Sequence, residues 1–125
     1  PSLLSLPYLG YLPPEDPVYQ NTRAWLLSEE NPCYFQGKAA CGVGSEHTAA
    51  GYVWPIALAM QGLTANCFEE KERIIRFLLD TTAGCGRMHE SFHADDPSQF
   101  TRPWFAWADS LCAELIYETY LKEMI

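Results

Sequence analysis

The sequence predicts an all-α fold built from helical hairpins, on three observations. Four segments carry helical signals, separated by runs rich in the glycine and proline that punctuate helices. Segments with one apolar side alternate with segments apolar almost all round, as when outer helices wrap inner ones. No stretch of useful length alternates apolar and polar residues with the period of two that marks a half-buried strand.

Residues 1–16 hold Leu3, Leu4, Leu6 and Leu9, interrupted by Pro7, Gly10, Pro13 and Pro14, and read as an irregular apolar connector packed on the body. Asp16-Pro17 opens the first helix, with Asp16 as N-cap and Pro17 in the first helical position. Val18, Trp25 and Leu26 supply its apolar side, and it stops before Asn31-Pro32 because a residue preceding proline resists the helical conformation. Arg23 lies on this helix, where a surface salt bridge is the simplest role for it. The connector from Asn31 to Gly51 is long for a loop without structure of its own, which marks it as functional or disordered. Tyr34, Phe35 and Tyr52 argue that it is ordered, and it carries His47.

Pro55 to Thr64 is apolar nearly all round and reads as a buried helix. Asn66 then caps the next helix, with Glu69 three residues on, as in a capping box. Phe68, Ile75 and Leu79, widened by Ile74 and Leu78, form its inward stripe. Glu69–Arg73 and Glu72–Arg76 pair on its wet side. A second long loop runs from Thr81 to Pro103, and the last helix from Trp104 to Glu123. Ser110, Glu114, Glu118 and Lys122 mark the polar stripe of that helix, while Trp107, Ala108, Leu111, Leu115 and Ile116 face inward. Both long loops lead into the N-terminus of an inner helix. They are therefore expected to open at the same end and to put His47 and Glu90 on one face.

The chain's 125 residues fit one domain or part of one. It opens at Pro1 without an initiator Met and closes at Ile125 inside a helical pattern, so both ends read as cut. A formal charge of −8, with no cluster of Lys or Arg to offset it, excludes nucleic acid and anionic membrane surfaces as partners and favours a neutral substrate. No apolar run approaches the roughly 20 residues of a membrane span. The five cysteines are scattered, odd in number and without a C-x-x-C pair, so they read as reduced thiols acting as small hydrophobes. Reduced thiols suit a cytoplasmic location.

Chemistry concentrates between Gly84 and Ala108. Two His, one Glu, two Asp, two Arg and a set of aromatics share a segment broken by glycine and proline. A solvated surface loop has no need of Phe92, Phe100, Trp104, Phe105 and Trp107 beside those charges, whereas a binding or catalytic loop does. Glu90 is the expected reactive group. His89-Glu90-Ser91-Phe92-His93 also matches H-E-x-x-H, in which two His one helical turn apart bind zinc and the Glu acts as general base. That zinc metalloprotease reading needs a helix through both His, and Gly84, Gly86 and Pro97 leave room for two turns at most. A non-catalytic carbohydrate-binding or interaction module, keeping the aromatic loop without chemistry, is the other alternative.

Six blocks carry a resemblance. They are Ser-Leu-Pro-Tyr-Leu-Gly-Tyr (5–11), Asp-Pro-Val-Tyr-Gln-Asn-Thr-Arg (16–23), Gly-Val-Gly-Ser-x-His-Thr (42–48), Trp-Pro-Ile-Ala-Leu-Ala-Met-Gln-Gly-Leu-Thr (54–64), Met-His-Glu-Ser-Phe-His-x-Asp-Asp-Pro (88–97) and Thr-Arg-Pro-Trp-Phe-Ala-Trp-Ala (101–108). In this order they closely resemble glycoside hydrolase family 125. The resemblance implies an exo-acting α-1,6-mannosidase with no metal or other cofactor, acting on α-1,6-linked mannosides. It also implies an (α/α)6 toroid, of which residues 1–125 are the C-terminal portion of a single catalytic domain. Glu90 matches the general base of an inverting mechanism, which stands roughly 6.5–9.5 Å from a general acid across the sugar, leaving room for a water. The acid, an Asp, belongs to the part of the family's fold upstream of this chain, so the chain alone is expected to be inactive. Arg23, His47, Trp54, His89, Arg102 and Trp104 become candidate substrate contacts. The chain departs from the family pattern at Cys33, Glu46, Cys85, Arg87, Asp109 and Cys112. Glu46 and Asp109 add negative charge in the region of the expected site.

Overall fold

The computed structural model describes residues 2–124, and the expected helical close at Ile125 lies outside them. All four expected helices form: α1 at Pro17–Leu26, α2 at Pro55–Leu63, α3 at Phe68–Asp80 and α4 at Ala106–Ile116. The all-α class does not hold. Both long loops contain strands, and with 44% helix and 11% strand the chain is a mixed α/β structure. β1 (Tyr34–Gln36) and β2 (Cys41–Val43) form one antiparallel sheet, and β3 (Tyr52–Val53), β4 (Ser91–His93) and β5 (Phe100–Thr101) form a second. None exceeds three residues, too short for period-two alternation to register. Cross-strand partners distant in sequence hold them in place. Tyr52 stands opposite His93, and Phe92 opposite both Val53 and Phe100.

α2 is the central element, packed against α3 on one side and α4 on the other. Close approach to α4 depends on Gly62, where a Cβ would meet the Leu115 methyls at 2.7 and 2.8 Å. The core is one cluster. Leu58 and Ala59 of α2, Ile74 and Leu78 of α3, and Ala108 and Leu115 of α4 meet Val53 and Phe92 from the three-stranded sheet. Burial of Phe92 therefore ties the second loop to the helices.

Several helix details differ from the expected ones, each for a local reason. Asp16 does cap α1, its Oδ1 accepting the N–H groups of Val18 and Tyr19 at 2.9 and 3.1 Å. Asp16→Ala is expected to cost about 1 kcal/mol of folding stability, read from a denaturant melt. The inward residue of α1 is Tyr19, whose hydroxyl donates to the Leu4 carbonyl at 2.8 Å, while Val18 is exposed. α1 also ends early, at Leu26. The capping box at Asn66 does not form, because α3 starts one residue later with Cys67 as an N-cap that makes no side-chain bond. Its buried stripe is Ile74, Ile75 and Leu78, leaving Phe68 and Leu79 half exposed. The Glu72–Arg76 ion pair forms at 3.3 Å. α4 begins at Ala106 because Phe105 is extended, with φ −145 and ψ 106, and its N–H donates to the Met88 carbonyl at 2.8 Å. Beyond Ile116 the chain widens into a π-turn at Tyr117–Leu121.

Candidate active site

The two long loops do meet, and β3–β4 pairing is what joins them. One loop delivers Glu90 just ahead of β4, where its N–H donates to the Thr101 carbonyl at 3.2 Å. The hairpin then returns through β5 to Arg102. Arg102 has φ +50, a left-handed backbone that a non-glycine residue adopts at a cost, and it precedes a proline. Strain of this kind persists only where the surroundings enforce it, and it concentrates at functional sites. Here it turns the Arg102 side chain back over the loop. Its Nε lies 3.2 Å from Glu90 Oε2, and its guanidinium sits 5.6 Å from the centre of the Phe105 ring.

The Glu90 side chain is 19% exposed. Oε2 faces Arg102, and Oε1 has no hydrogen-bond partner among the described residues. Arg102 binds through Nε, which leaves both terminal nitrogens of its fork for a ligand. His89 lies beneath. Its ring is buried, stacks on Phe100 at 4.1 Å with planes 2° apart, and its Nδ1 is 2.9 Å from the Pro103 carbonyl. A carbonyl only accepts, so Nδ1 carries a proton, while Nε2 is buried without a partner among the described residues. His89 thus braces the Arg102-Pro103 turn from inside.

Phe105 joins this group to a cavity of about 620 Å³, within the range of small-molecule sites. Trp54, Phe105 and Trp107 give it aromatic walls, with His47 and Ser45 as polar groups. Thr48 fixes Trp54 by accepting its indole N–H at 2.9 Å. His47 is exposed on the cavity rim. Trp104, 58% exposed, lies under the Arg87 guanidinium, which is 5.0 Å from its ring.

The structure therefore brings Glu90, Arg102 and His89 together, sets His47 and Trp54 across Phe105 from them, and places Trp104 on the same loop return. It does not bring Arg23 there. Arg23 pairs with Glu70 at 3.2 Å and donates to the Gln61 carbonyl at 2.8 Å, a largely buried contact knitting α1 to α2 and α3. The salt bridge read from the sequence is thus present, although not on the surface. H-E-x-x-H does not lie on a helix. Ser91–His93 is a strand, whose residues advance about 3.3 Å each and so carry the two His apart rather than around one ion. Among the described residues no group of three His, Cys, Asp or Glu is placed to hold a metal, and no helix is long and apolar enough to cross a membrane. Of the cysteines, Cys112 alone is buried in the core, which pushes its thiol up to about 11. Cys67 and Cys85 are exposed.

Three residues have no assigned role in the sequence reading. Phe105 lies in the aromatic run, but nothing marked it as the hinge between Glu90 and the cavity. Arg87 and Asp109 were noted as departures of opposite charge. They pair with each other, Nε and the terminal nitrogen lying 2.8 and 2.7 Å from Asp109 Oδ2, so the added charge is neutralised locally.

A family model described as metal-independent alpha-mannosidase (GH125) matches residues 1–117. The meiotically up-regulated gene 157 protein of Schizosaccharomyces pombe is 50% identical over 119 residues, covering 94% of this chain and 23% of that protein. A metal-independent α-mannosidase of Streptococcus pneumoniae, solved in a non-productive complex with α-1,6-mannobiose, superposes with a TM-score of 0.91 at 49% identity, covering 94% of this chain and 28% of that one. The chain spans about a quarter of the length of these relatives.

Proposed function

The chain belongs to the metal-independent α-mannosidases of glycoside hydrolase family 125, and on that premise we propose that the complete protein containing it is an exo-acting, inverting α-1,6-mannosidase with Glu90 as general base. The observation that carries this reading is the Glu90–Arg102 pair: a carboxylate with one oxygen held and the other free, beside an aromatic-walled cavity. Glu90 Oε1 takes a proton from a water, and that water attacks the anomeric carbon from the face opposite the leaving group. The general acid, which protonates the departing oxygen, comes from the part of the family fold that these 125 residues do not span. The Arg102 fork donates to neighbouring sugar hydroxyls, His47 approaches from the far rim, and Trp54 and Trp104 offer aromatic faces to the sugar ring. His89 acts from beneath by holding the turn that presents Arg102. The substrate class is supported by the α-1,6-mannobiose bound to the pneumococcal relative.

The test is mannose release from α-1,6-mannobiose, with the anomer followed by proton NMR in the first minutes. The complete protein is expected to release β-mannose first, and these 125 residues alone none. Release of α-mannose first would overturn the inverting mechanism, and turnover by the isolated chain would overturn the external acid.

Arg102→Gly separates binding from folding at this site. Relief of the left-handed backbone, about 1 kcal/mol, offsets the greater freedom of the unfolded chain and the loss of an ion pair whose Arg102 half is exposed. The melting temperature is expected to stay nearly constant, while KM for the mannoside rises on the order of tenfold, the effect of about 1.4 kcal/mol of lost hydrogen bonding.

A further inference from the structure

Asp109 stands in the first turn of α4 and uses both carboxylate oxygens, each in a different direction. Oδ1 accepts the Met88 N–H at 2.7 Å. The carbonyl of Met88 in turn accepts the Phe105 N–H at 2.8 Å, so the peptide two residues before Glu90 is held from both ends of α4's entry. Oδ2 takes the Arg87 guanidinium, and that planar group lies over the Trp104 ring. One side chain thus connects the segment leading to Glu90 with the exposed indole of the same loop.

We propose that Asp109 is a positioning residue: through the Met88 amide it sets where Glu90 stands, and through Arg87 it sets the orientation of Trp104 as a platform for the sugar ring. The role rests on the assignment of Glu90 as base. Magnitudes favour positioning over mere stabilisation. Arg87 is half exposed, and ion pairs of that kind contribute little to folding. A shift of about 1 Å in a catalytic group can nevertheless cost on the order of a hundredfold in rate. The two oxygens also predict two separable effects. The Met88 contact governs kcat, because it acts on the group that works in the transition state. The Arg87–Trp104 contact governs KM, because stacking holds the ground-state sugar as well.

The experiment compares Asp109→Ala, Asp109→Asn and Arg87→Met in the complete protein, with steady-state kinetics on α-1,6-mannobiose and amide hydrogen exchange at Met88. Asp109→Ala is expected to lower kcat on the order of 10–100-fold and to accelerate Met88 exchange. Asp109→Asn keeps an oxygen for the Met88 N–H. It should restore slow exchange and most of kcat while retaining the raised KM. Arg87→Met should raise KM more than it lowers kcat. Equal losses in Asp109→Ala and Asp109→Asn, or a kcat loss in Arg87→Met matching that of Asp109→Ala, would overturn the proposal. If the unmodified protein does not turn over mannobiose, the assignment of Glu90 fails on its own. Met88 exchange then still decides the coupling: fast in Asp109→Ala and slow in Asp109→Asn upholds it, and no difference overturns it.

Discussion

Glu90→Gln is expected to lower kcat on α-1,6-mannobiose by about 10²–10⁴-fold, the usual contribution of a positioned general base. The amide has the shape of the carboxylate but cannot take the proton of the attacking water. KM should change little in the complete protein, because the sugar contacts proposed above fall to Arg102, His47 and the aromatic faces rather than to Glu90. Folding should change by about 1 kcal/mol or less, since the Arg102 half of the lost ion pair is solvent-exposed and the amide keeps the shape of the carboxylate. Steady-state kinetics and a thermal melt on the same preparation check all three. Turnover within tenfold of the unmodified protein would remove Glu90 from the mechanism. An unmodified protein that binds mannobiose without hydrolysing it would instead identify a carbohydrate-binding module.

Phe92→Ala is expected to have the largest effect on stability, about 3–5 kcal/mol. The ring is fully buried, lies on the central strand of the three-stranded sheet, and belongs to the cluster shared with α2, α3 and α4. Against a total of about 5–15 kcal/mol for a domain of ordinary stability, that loss removes a large fraction. The melting temperature should fall on the order of 10–20 °C. Phe92→Leu, which keeps most of the volume, should lose less than half as much. Equal melting of the alanine variant and the unmodified chain would mean that the strand is not anchored in the core.

Local chemistry in the sequence accounts for the parts of the fold that could be read from it. Asp16 followed by proline marks a helix start by hydrogen-bond geometry alone, and the cap is where it was expected. The apolar run from Pro55 can only be a buried element, and α2 is the one that touches both neighbours. What escaped was set by partners distant in the chain. β3 is two residues long, and its partner β4 lies beyond both α2 and α3. The start of α4 moved because Phe105 is extended where it bonds the preceding loop at Met88. At the candidate site, the crowding of charge and aromatics drew attention to the loop on which Glu90, Arg102 and Phe105 come together. That Arg102 would turn back onto Glu90 depends on a backbone conformation no propensity favours, and Arg23 was drawn into an ion pair with Glu70 instead.

The pairing of β3 with β4 has a consequence for the order in which the molecule forms. Tyr52 and His93 flank the whole α2–α3 hairpin, so closing that ladder requires the entropy of a long loop to be overcome first. Contacts of such separation are late and slow, whereas the helices between them form locally. The Glu90 loop is therefore expected to acquire its shape after the hairpin has docked. A chain whose hairpin has failed to collapse leaves the Glu90 carboxylate on an unpaired segment, so the step that completes the core also places that side chain.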